Sequence, residues 1–375
     1  MAKSLDYIPM NAPRIRMDRS LPLAPQKNGH NRWHPEIEPA VRIAAGSSVE
    51  LETLDAVDGQ IKPGVKAEDL SVDLGRAHPL TGPVYVEGAE PGDLLAVKIE
   101  SIVTADRGFT CILPGFGYLR DVFTKPFVVH WELANGFAHS EQLPGVRIPG
   151  APFMGVMGVA PSEELLDRIL AREAELIGRG GFALPPDSTG AVPADERIAA
   201  RALRTIPPRE NGGNFDIKQL TAGSTLYLPV YVPGALFSAG DTHFAQGDGE
   251  CCGTAVETSS TFIARFDVHK GEASRRKQID PSFTYSAPHS AANRRFYATT
   301  GLSVRKDGRN ESEDLNVAAR NALLNMIEYL ADTRGYNREQ AYALCSVAVN
   351  LRISQVVDVP NLVVSAFLPL DVFEN

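Results

Sequence analysis

One stretch of the chain concentrates side chains that can bind a metal ion or move a proton. Two apolar runs rich in β-forming residues flank it within residues 226–266. Carboxylates and imidazoles of the kind found between those runs are typical ligands of divalent metals such as zinc. The polar and thiol groups there are Asp241, His243, Gln246, Asp248, Glu250, Cys251 and Cys252.

The spacing of Asp241 and His243 favours a shared metal site. If residues 239–244 are extended, both side chains project from the same face of the strand. The glycine-rich turn at 247–249 lets the backbone reverse sharply and return Glu250 towards the pair. A free carboxylate beside a metal-activated water is the arrangement of a metal-assisted hydrolase. A solvated polar hairpin loop is the alternative from local pattern alone.

A second segment has the composition of a pocket lining. Residues 211–214 read Asn-Gly-Gly-Asn, a tight backbone turn, and Asp216 follows. Amide side chains and free backbone N–H groups in such a turn could hold a substrate carbonyl, as oxyanion-hole donors do. An ordinary hairpin turn rich in Asn and Gly is the simpler interpretation.

Several segments resemble one known family. GALFSAGDTHFAQGDGECCGTAVE, residues 234–257, resembles the core signature of the acetamidase/formamidase family of amidases. Similar family segments are NRWHP at 31–35, HPLTGPVYVEGAEPGD at 78–93 and the NGGN-D pattern at 211–216. The resemblance extends over most of the chain, from about residue 30 to about residue 370.

The resemblance implies an activity and an assembly. Members of the family hydrolyse short aliphatic amides, chiefly formamide and acetamide, to a carboxylate and ammonia. The resemblance also implies a homo-oligomer and a β-rich sandwich or jelly roll with added α+β elements. A small amide is therefore the expected substrate of this chain.

The resemblance also adds candidate residues to the site. It implies that the acids of residues 87–93 lie near the catalytic region, so we expect the third metal ligand to be Asp93, with Glu90 or His34 as alternatives. His78 is a plausible site residue and equally a loop histidine before proline.

The substrate pocket has its own set of candidates. The family pattern favours Asn214 and Asp216 as residues that line it, and we group Gln246, Glu90 and His34 with them as substrate-binding candidates.

Amide hydrolysis suggests a role for each group. A metal polarises the carbonyl and acidifies a bound water, and a neighbouring carboxylate moves the proton to the leaving nitrogen. We therefore predict that Asp241, His243 and Asp93 hold a divalent metal, with zinc the expected ion. Glu250 is predicted to act first as base and then as acid, with Asp248 as a second catalytic carboxylate.

Other mechanisms and classes stay open at this point. Cys252 or Cys251 could be a nucleophile activated by Glu250. A serine–lysine amidase is disfavoured because its Gly-Gly-Ser-Ser-Gly type of loop is absent, with Gly46-Ser47-Ser48 the only echo. A non-enzymatic β-sandwich that binds a small ligand or a metal is the alternative from a different class.

The amino-acid composition excludes some classes of binding partner and indicates a cellular compartment. The chain has 375 residues and a net charge of −9 without a basic stripe, which argues against nucleic acid and anionic membranes as partners. No apolar run approaches the roughly 20 residues of a membrane helix, and the N-terminus has no apolar core of a secretory signal. The four cysteines form no CxxC pair, so a reducing cytoplasm is expected.

Patterning predicts a mainly β fold of the α+β type. The 27 prolines and 32 glycines are spread along the chain, which suits short strands joined by turns. We expect a β-sandwich or jelly-roll-like core with added helices at 162–177, 314–332 and 338–350, the last two near the C-terminus. The expected organisation is an N-terminal arm at 1–28 and a catalytic region at 29–375, with a candidate subdivision near 160–205.

Overall fold

The computed structural model describes residues 12–286, 294–357 and 359–374. The strands among them, in chain order, are β1 Arg14–Ile15, β2 Gly29–His30, β3 Arg32–Trp33, β4 Val41–Ala44, β5 Ser47–Glu52, β6 Leu80–Glu87, β7 Leu94–Thr104, β8 Arg107–Ile112, β9 Phe127–Ala134, β10 Phe137–His139, β11 Arg147–Pro149, β12 Phe153–Gly158, β13 Leu203–Arg204, β14 Gly212–Asn214, β15 Thr225–Pro229, β16 Phe237–His243, β17 Glu257–Thr258, β18 Ser260–His269, β19 Ser282–Thr284, β20 Phe296–Leu302, β21 Asn350–Gln355 and β22 Val363–Pro369. The α-helices are α1 Glu163–Gly178, α2 Glu196–Ala199, α3 Glu272–Arg276, α4 Leu315–Arg334 and α5 Arg338–Ala348.

Two sheets share one hydrophobic core. The smaller has the strand order β1-β5-β18-β7-β15-β19, and the larger runs β11-β10-β9-β8-β17-β16-β12-β14, with β6 pairing with β16 beside that path. Leu95, Val97 and Ile99 of β7 point into the core while Lys98 and Glu100 are exposed, the alternation of a half-buried strand. The predicted mainly β, sandwich-like class with added helices is confirmed.

The C-terminal helices complete a second core. Strands β20, β22 and β21 form a three-stranded sheet, and α4 and α5 pack with it and with residues of β9. The two predicted helices are confirmed, with boundaries that differ by a few residues. Asp314 caps α4 by accepting from Val317 N at 2.9 Å, and Gly335 in the left-handed region ends it.

The first predicted helix is also confirmed. Ser162 accepts a hydrogen bond from Leu165 N at 3.1 Å and starts α1, which buries Leu166 and Ile169. Among the described residues, no helix combines the length and apolarity needed to cross a bilayer.

The described part of the N-terminal segment is tied to the smaller sheet. Strand β1 pairs in parallel with β5, and Ile15, Met17 and Leu23 are buried. The domain division near residue 28 remains a prediction.

Strand β16 is the element that positions the site. All seven of its residues are buried. It pairs with β12 along one edge, and along the other with β6 up to Gly240 and then with β17 from Thr242. The carboxyl end of β16 therefore lies between β12 and the short β17.

Candidate active site

Strand β16 carries Asp241 and His243, the two residues at the centre of the site. Asp241 Oδ1 lies 3.2 Å from His243 Nε2, and both side chains are buried. Asp241 has φ of 58°, a left-handed conformation that costs energy in a non-glycine residue. The surrounding sheet holds this residue in a strained conformation that brings its carboxylate beside the imidazole.

Glu257 supplies a third group that the sequence interpretation missed. It lies directly opposite His243 in the β16–β17 pair, with Oε2 at 3.3 Å from His243 Nε2. Its other oxygen accepts from Ala255 N at 2.7 Å, which orients the carboxyl. The residue is the last one of the family signature, but only the strand register shows which face it occupies.

Two loops add further carboxyls. Glu250 Oε1 lies 3.8 Å from His243 Nε2, and one ligand atom each of Asp216, His243 and Glu250 lie within 4.8 Å of one another. The N–H groups of Phe215 and Asp216 donate to Gly155 O at 3.2 and 3.3 Å, which docks the first loop on β12. Asp216 and Glu250 both have positive φ, of 49° and 41°.

Gly155 leaves the space in which these side chains meet. A Cβ on this residue would lie 2.7 Å from Asp216 Oδ1 and 2.9 Å from His243 Cε1, and it would also collide with Asp241 Oδ2. Only glycine at this position lets the three side chains converge over β12.

Buried polar atoms that have no hydrogen-bond partner among the described residues converge at the centre of the site. They include His243 Nε2, Asp241 Oδ1 and Glu257 Oε2, and Asp216 Oδ1 is a fourth. Such atoms are rare in native proteins, and an ion is one explanation for a group of them. In the part of the chain that the structure describes, two sets of residues have the geometry to hold a metal ion, and His243 belongs to both: Asp241–His243–Glu257 and Asp216–His243–Glu250.

Gln246 fixes the orientation of the imidazole. Its Oε1 lies 2.9 Å from His243 Nδ1, and its Nε2 donates to Asp216 O at 2.8 Å. An amide oxygen can only accept, so Nδ1 carries the proton in this pair, and a neutral ring then presents a lone pair at Nε2. Gln246 thus links the imidazole to the Asp216 loop.

Burial and mutual charge shift every pKa in the cluster. Burial raises the pKa of Glu250 well above its usual range, and it raises the pKa values of Asp216 and Glu257 to about 7. Burial disfavours the charged form of His243, but Glu257 and Asp241 outweigh it and raise the pKa of His243. Burial also opposes the charged form of Asp241, and the neighbouring His243 more than offsets this, so the pKa of Asp241 falls. The cluster can therefore hold protons near neutral pH on Glu250, Asp216, Glu257 or the imidazole of His243, and a metal ion at Nε2 would take the place of the second proton of the imidazole.

The structure does not bring Asp93 to either His243 set. Asp93 Oδ2 accepts from Lys270 Nζ at 2.6 Å and from Glu90 N at 2.8 Å, and Oδ1 accepts from Gly271 N at 2.7 Å. The carboxylate closes a turn and binds a neighbouring lysine, while the side chain of Glu90 is exposed. Glu257 occupies the position beside His243 that the sequence interpretation gave to Asp93.

His34 also lies outside both sets. It is buried, and its Nδ1 accepts from Glu36 N at 3.2 Å, while Nε2 is 3.9 Å from Glu163 Oε1.

The remaining candidates lie in different surroundings. The charge of His78 interacts with Asp241 and His243, and its buried Nδ1 has no hydrogen-bond partner among the described residues. Asn214, opposite Val156 in the β12–β14 pair, has a buried Oδ1 that likewise has no partner in the described part of the chain. Asp248 instead faces Lys218, with its Oδ1 3.3 Å from Nζ.

The adjacent cysteines are buried thiols. Cys251 and Cys252 are unpaired, and burial raises the pKa of both. Cys252 Sγ donates to Cys111 O at 3.5 Å. The reactive thiolate is disfavoured in such surroundings.

Comparison with known proteins identifies the relatives of this chain. Residues 16–375 match the model of the Acetamidase/Formamidase family. The chain belongs to this family. The formamidase of Methylophilus methylotrophus is 38% identical over 92% of this chain and 89% of its own. The acetamidase of Mycolicibacterium smegmatis is 39% identical over 84% of each chain.

Two solved structures resemble this chain in fold to different degrees. The gamma lactamase from Delftia acidovorans superposes with a TM-score of 0.92 at 38% identity, covering 97% of this chain and 94% of that one. The acetamidase from Bacillus halodurans gives a TM-score of 0.55 at 28% identity, covering 92% and 96%.

Proposed function

We propose that this protein is an amidohydrolase that cleaves short aliphatic amides, such as formamide and acetamide, to a carboxylate and ammonia. The match to the acetamidase/formamidase family over residues 16–375, with relatives named formamidase and acetamidase, carries this proposal. The buried carboxyl–imidazole cluster supports it, because amide hydrolysis needs groups that hold and move protons beside the carbonyl.

We propose that Asp241, His243 and Glu257 hold a divalent metal ion, with zinc the expected ion. The support is the convergence of three buried atoms that lack hydrogen-bond partners, together with the Nε2 lone pair that Gln246 favours. One imidazole with two carboxylates is a donor set that suits zinc. When bound, such an ion supplies Lewis acidity that polarises a carbonyl and acidifies water.

The chain's own acids would manage the protons. Burial raises the pKa of Glu250, so its carboxyl can hold a proton at neutral pH and give it to the departing nitrogen. Asp216, with a pKa of about 7, is poised to accept a proton from water near His243. Asn214 and His78 have buried polar atoms free to orient the substrate.

Ammonia release tests the proposal and its two rivals. We expect purified protein to release ammonia from formamide or acetamide, and Glu250→Gln to lower kcat by about 10²–10⁴-fold because it removes a proton donor and acceptor. Cys252→Ala should retain turnover, whereas its loss would favour the cysteine nucleophile. Absence of ammonia from every short amide would contradict the linear-amide activity and leave a passive binding module, or an enzyme that opens cyclic amides, as the better explanation.

Metal dependence is tested separately. A strong chelator should remove both bound zinc and activity, and added zinc should restore activity. A metal-free protein with full activity would overturn the metal assignment and leave the amidase assignment intact.

Cyclic amides are a second candidate class of substrate. The observation that favours them is the TM-score of 0.92 with a structure named as a gamma lactamase. Opening a lactam ring releases no ammonia, because the amine stays attached to the product. The test is therefore a separate assay for the amino acid product of a five-membered lactam.

We further propose that the enzyme is cytoplasmic, and the support is its four buried, unpaired cysteines. We also propose that it is a homo-oligomer, and the support is the family resemblance.

A further inference from the structure

The loops that carry Asp216 and Glu250 are joined by side chains outside the proposed metal site. Lys218 follows Asp216 by two residues, and Asp248 precedes Glu250 by two. Lys218 Nζ lies 3.3 Å from Asp248 Oδ1, so an ion pair bridges the two loops directly beside the reacting groups.

Asn350, the first residue of β21, ties the same pair to the C-terminal sheet against which α4 packs. Its Oδ1 accepts from Lys218 Nζ and, at 3.2 Å, from Asp248 N. Leu351 N donates to Asp248 O at 3.0 Å. The start of β21 therefore fixes both loops through one buried amide side chain and one backbone hydrogen bond.

The burial of this ion pair distinguishes it from ordinary surface pairs. The side chains of Lys218 and Asp248 are 23% and 24% exposed, so solvent screens their attraction less than at the surface. Arg352 Nε lies 3.9 Å from Asp248 Oδ2 and adds a second positive charge next to the same carboxylate.

The loops need such restraint because their backbones are strained. Asp216 and Glu250 both have left-handed φ values, which persist only where the surroundings enforce them. Gly247 N donates to Ser346 O at 2.8 Å, which holds the second loop from the α5 side. Among the contacts of the described residues, no corresponding bond to α5 restrains the first loop. The Lys218–Asp248 ion pair joins it to the second loop, together with hydrogen bonds from Gln246 Nε2 to Asp216 O at 2.8 Å and from Gln219 Nε2 to Asp248 Oδ1 at 3.5 Å.

We propose that Lys218, Asp248 and Asn350 are positioning residues that set the separation of the Asp216 and Glu250 carboxyls. Asp248, expected from sequence to be catalytic, would thus act on the reaction through Glu250. The expected effect on rate rests on the proposed amidase function, but the effect on loop order does not.

The test compares matched lysine variants by two measurements. Lys218→Met keeps the aliphatic stem and removes the charge, Lys218→Arg keeps the charge, and Asp248→Asn removes the partner's charge. Lys270→Met is the control, because Lys270 also pairs with a buried aspartate, Asp93, away from the His243 sets. Hydrogen exchange of the amides of residues 215–219 and 247–252 is measured alongside kcat and KM for formamide.

Lys218→Met and Asp248→Asn should each lower kcat by about 10–100-fold, as loss of an outer support does, with KM less affected. The double variant with both Lys218→Met and Asp248→Asn should have a kcat no lower than that of the more impaired single variant, since the two residues act as one unit. Lys218→Arg should retain most of kcat, and exchange in both loops should rise in Lys218→Met but not in Lys270→Met.

Unchanged exchange in Lys218→Met, or an equal rise in Lys270→Met, would overturn the proposal. A wild-type protein without amide turnover would refute the proposed function, and the exchange comparison would still decide whether the pair orders the loops.

Discussion

At the scale of single residues, the site depends on residue 155 being a glycine, which has no side chain. Gly155 lies under Asp216, Asp241 and His243, and any Cβ there would displace groups that must converge. Asp216, Asp241 and Glu250 also have a left-handed backbone conformation. The surrounding structure maintains this backbone strain, which places their carboxyl groups in the site. Small changes in this layer should therefore affect activity more than stability.

Gly155→Ala tests this layer. We expect kcat/KM for formamide to fall by about 100-fold, because displacement by about 1 Å has that effect at a reacting centre. Gly178→Ala is the control, since a Cβ at Gly178 would meet no atom of the described residues within 4 Å. Full activity of Gly155→Ala would show that the three side chains do not act in the arrangement described.

Substitutions of Glu257 and Asp93 should affect zinc affinity differently. Glu257→Gln should weaken zinc binding by at least about 10-fold, because a carboxylate donor becomes a neutral amide. Asp93→Asn should leave zinc affinity unchanged and destabilise the fold by about 1–3 kcal/mol, since it weakens charged hydrogen bonds to Lys270 and Gly271. Competition titration and chemical denaturation measure the two effects, and the reverse pattern would restore Asp93 as the ligand.

Local spacing predicted only part of this cluster. Asp241 and His243 share one strand two residues apart, so their proximity was predictable from spacing, but the left-handed backbone at Asp241 that brings its carboxylate to the imidazole was not. Glu257 joins them because β17 returns to pair with β16 in one register, and no local pattern reveals that register. Asp93 resembled a site residue in the sequence, but its turn uses both carboxylate oxygens.

At the scale of elements, the helix α5 supports the loop of Glu250. Ser346 Oγ accepts from Cys252 N at 3.1 Å and donates to Thr254 O at 2.7 Å, and Tyr342 OH donates to Cys251 O. The conformation of this loop is therefore set by a helix more than 80 residues further along the chain. Helices with caps and apolar periodicity were predictable from sequence, whereas this docking was not, because it depends on tertiary contacts.

Ser346→Ala tests the docking. It leaves a buried N–H and a buried carbonyl without their hydroxyl partner, so we expect a loss of about 1–3 kcal/mol in the free energy of unfolding. Ser312→Ala, at an exposed position, should change it by no more than about 0.5 kcal/mol. Equal stability of the two variants in urea denaturation would show that Ser346 does not support the loop.

At the scale of the whole molecule, apolar side chains are exposed around the end of β21. Ile353, Val357 and Val359 are 59%, 73% and 63% exposed. Exposed apolar groups gathered in one region are typical of protein interfaces. They agree with the proposed homo-oligomer, which the family resemblance suggested and which composition alone could not indicate.

Val357→Asp tests that surface. If it is an interface, the charge should shift the protein to a smaller species in size-exclusion chromatography with light scattering. Val103→Asp, at a residue that is 52% exposed on β7, is the control. A monomeric wild-type protein would contradict the proposal directly.

The central claim is that His243, Asp241 and Glu257 form a metal site that serves amide hydrolysis. The most direct measurement is a crystal structure of active protein with anomalous data collected at the zinc absorption edge. We predict one peak bound by His243 Nε2 and by carboxylate oxygens of Asp241 and Glu257. Active crystals in which these atoms contact only one another, or in which the peak lies at Asp93, would contradict it.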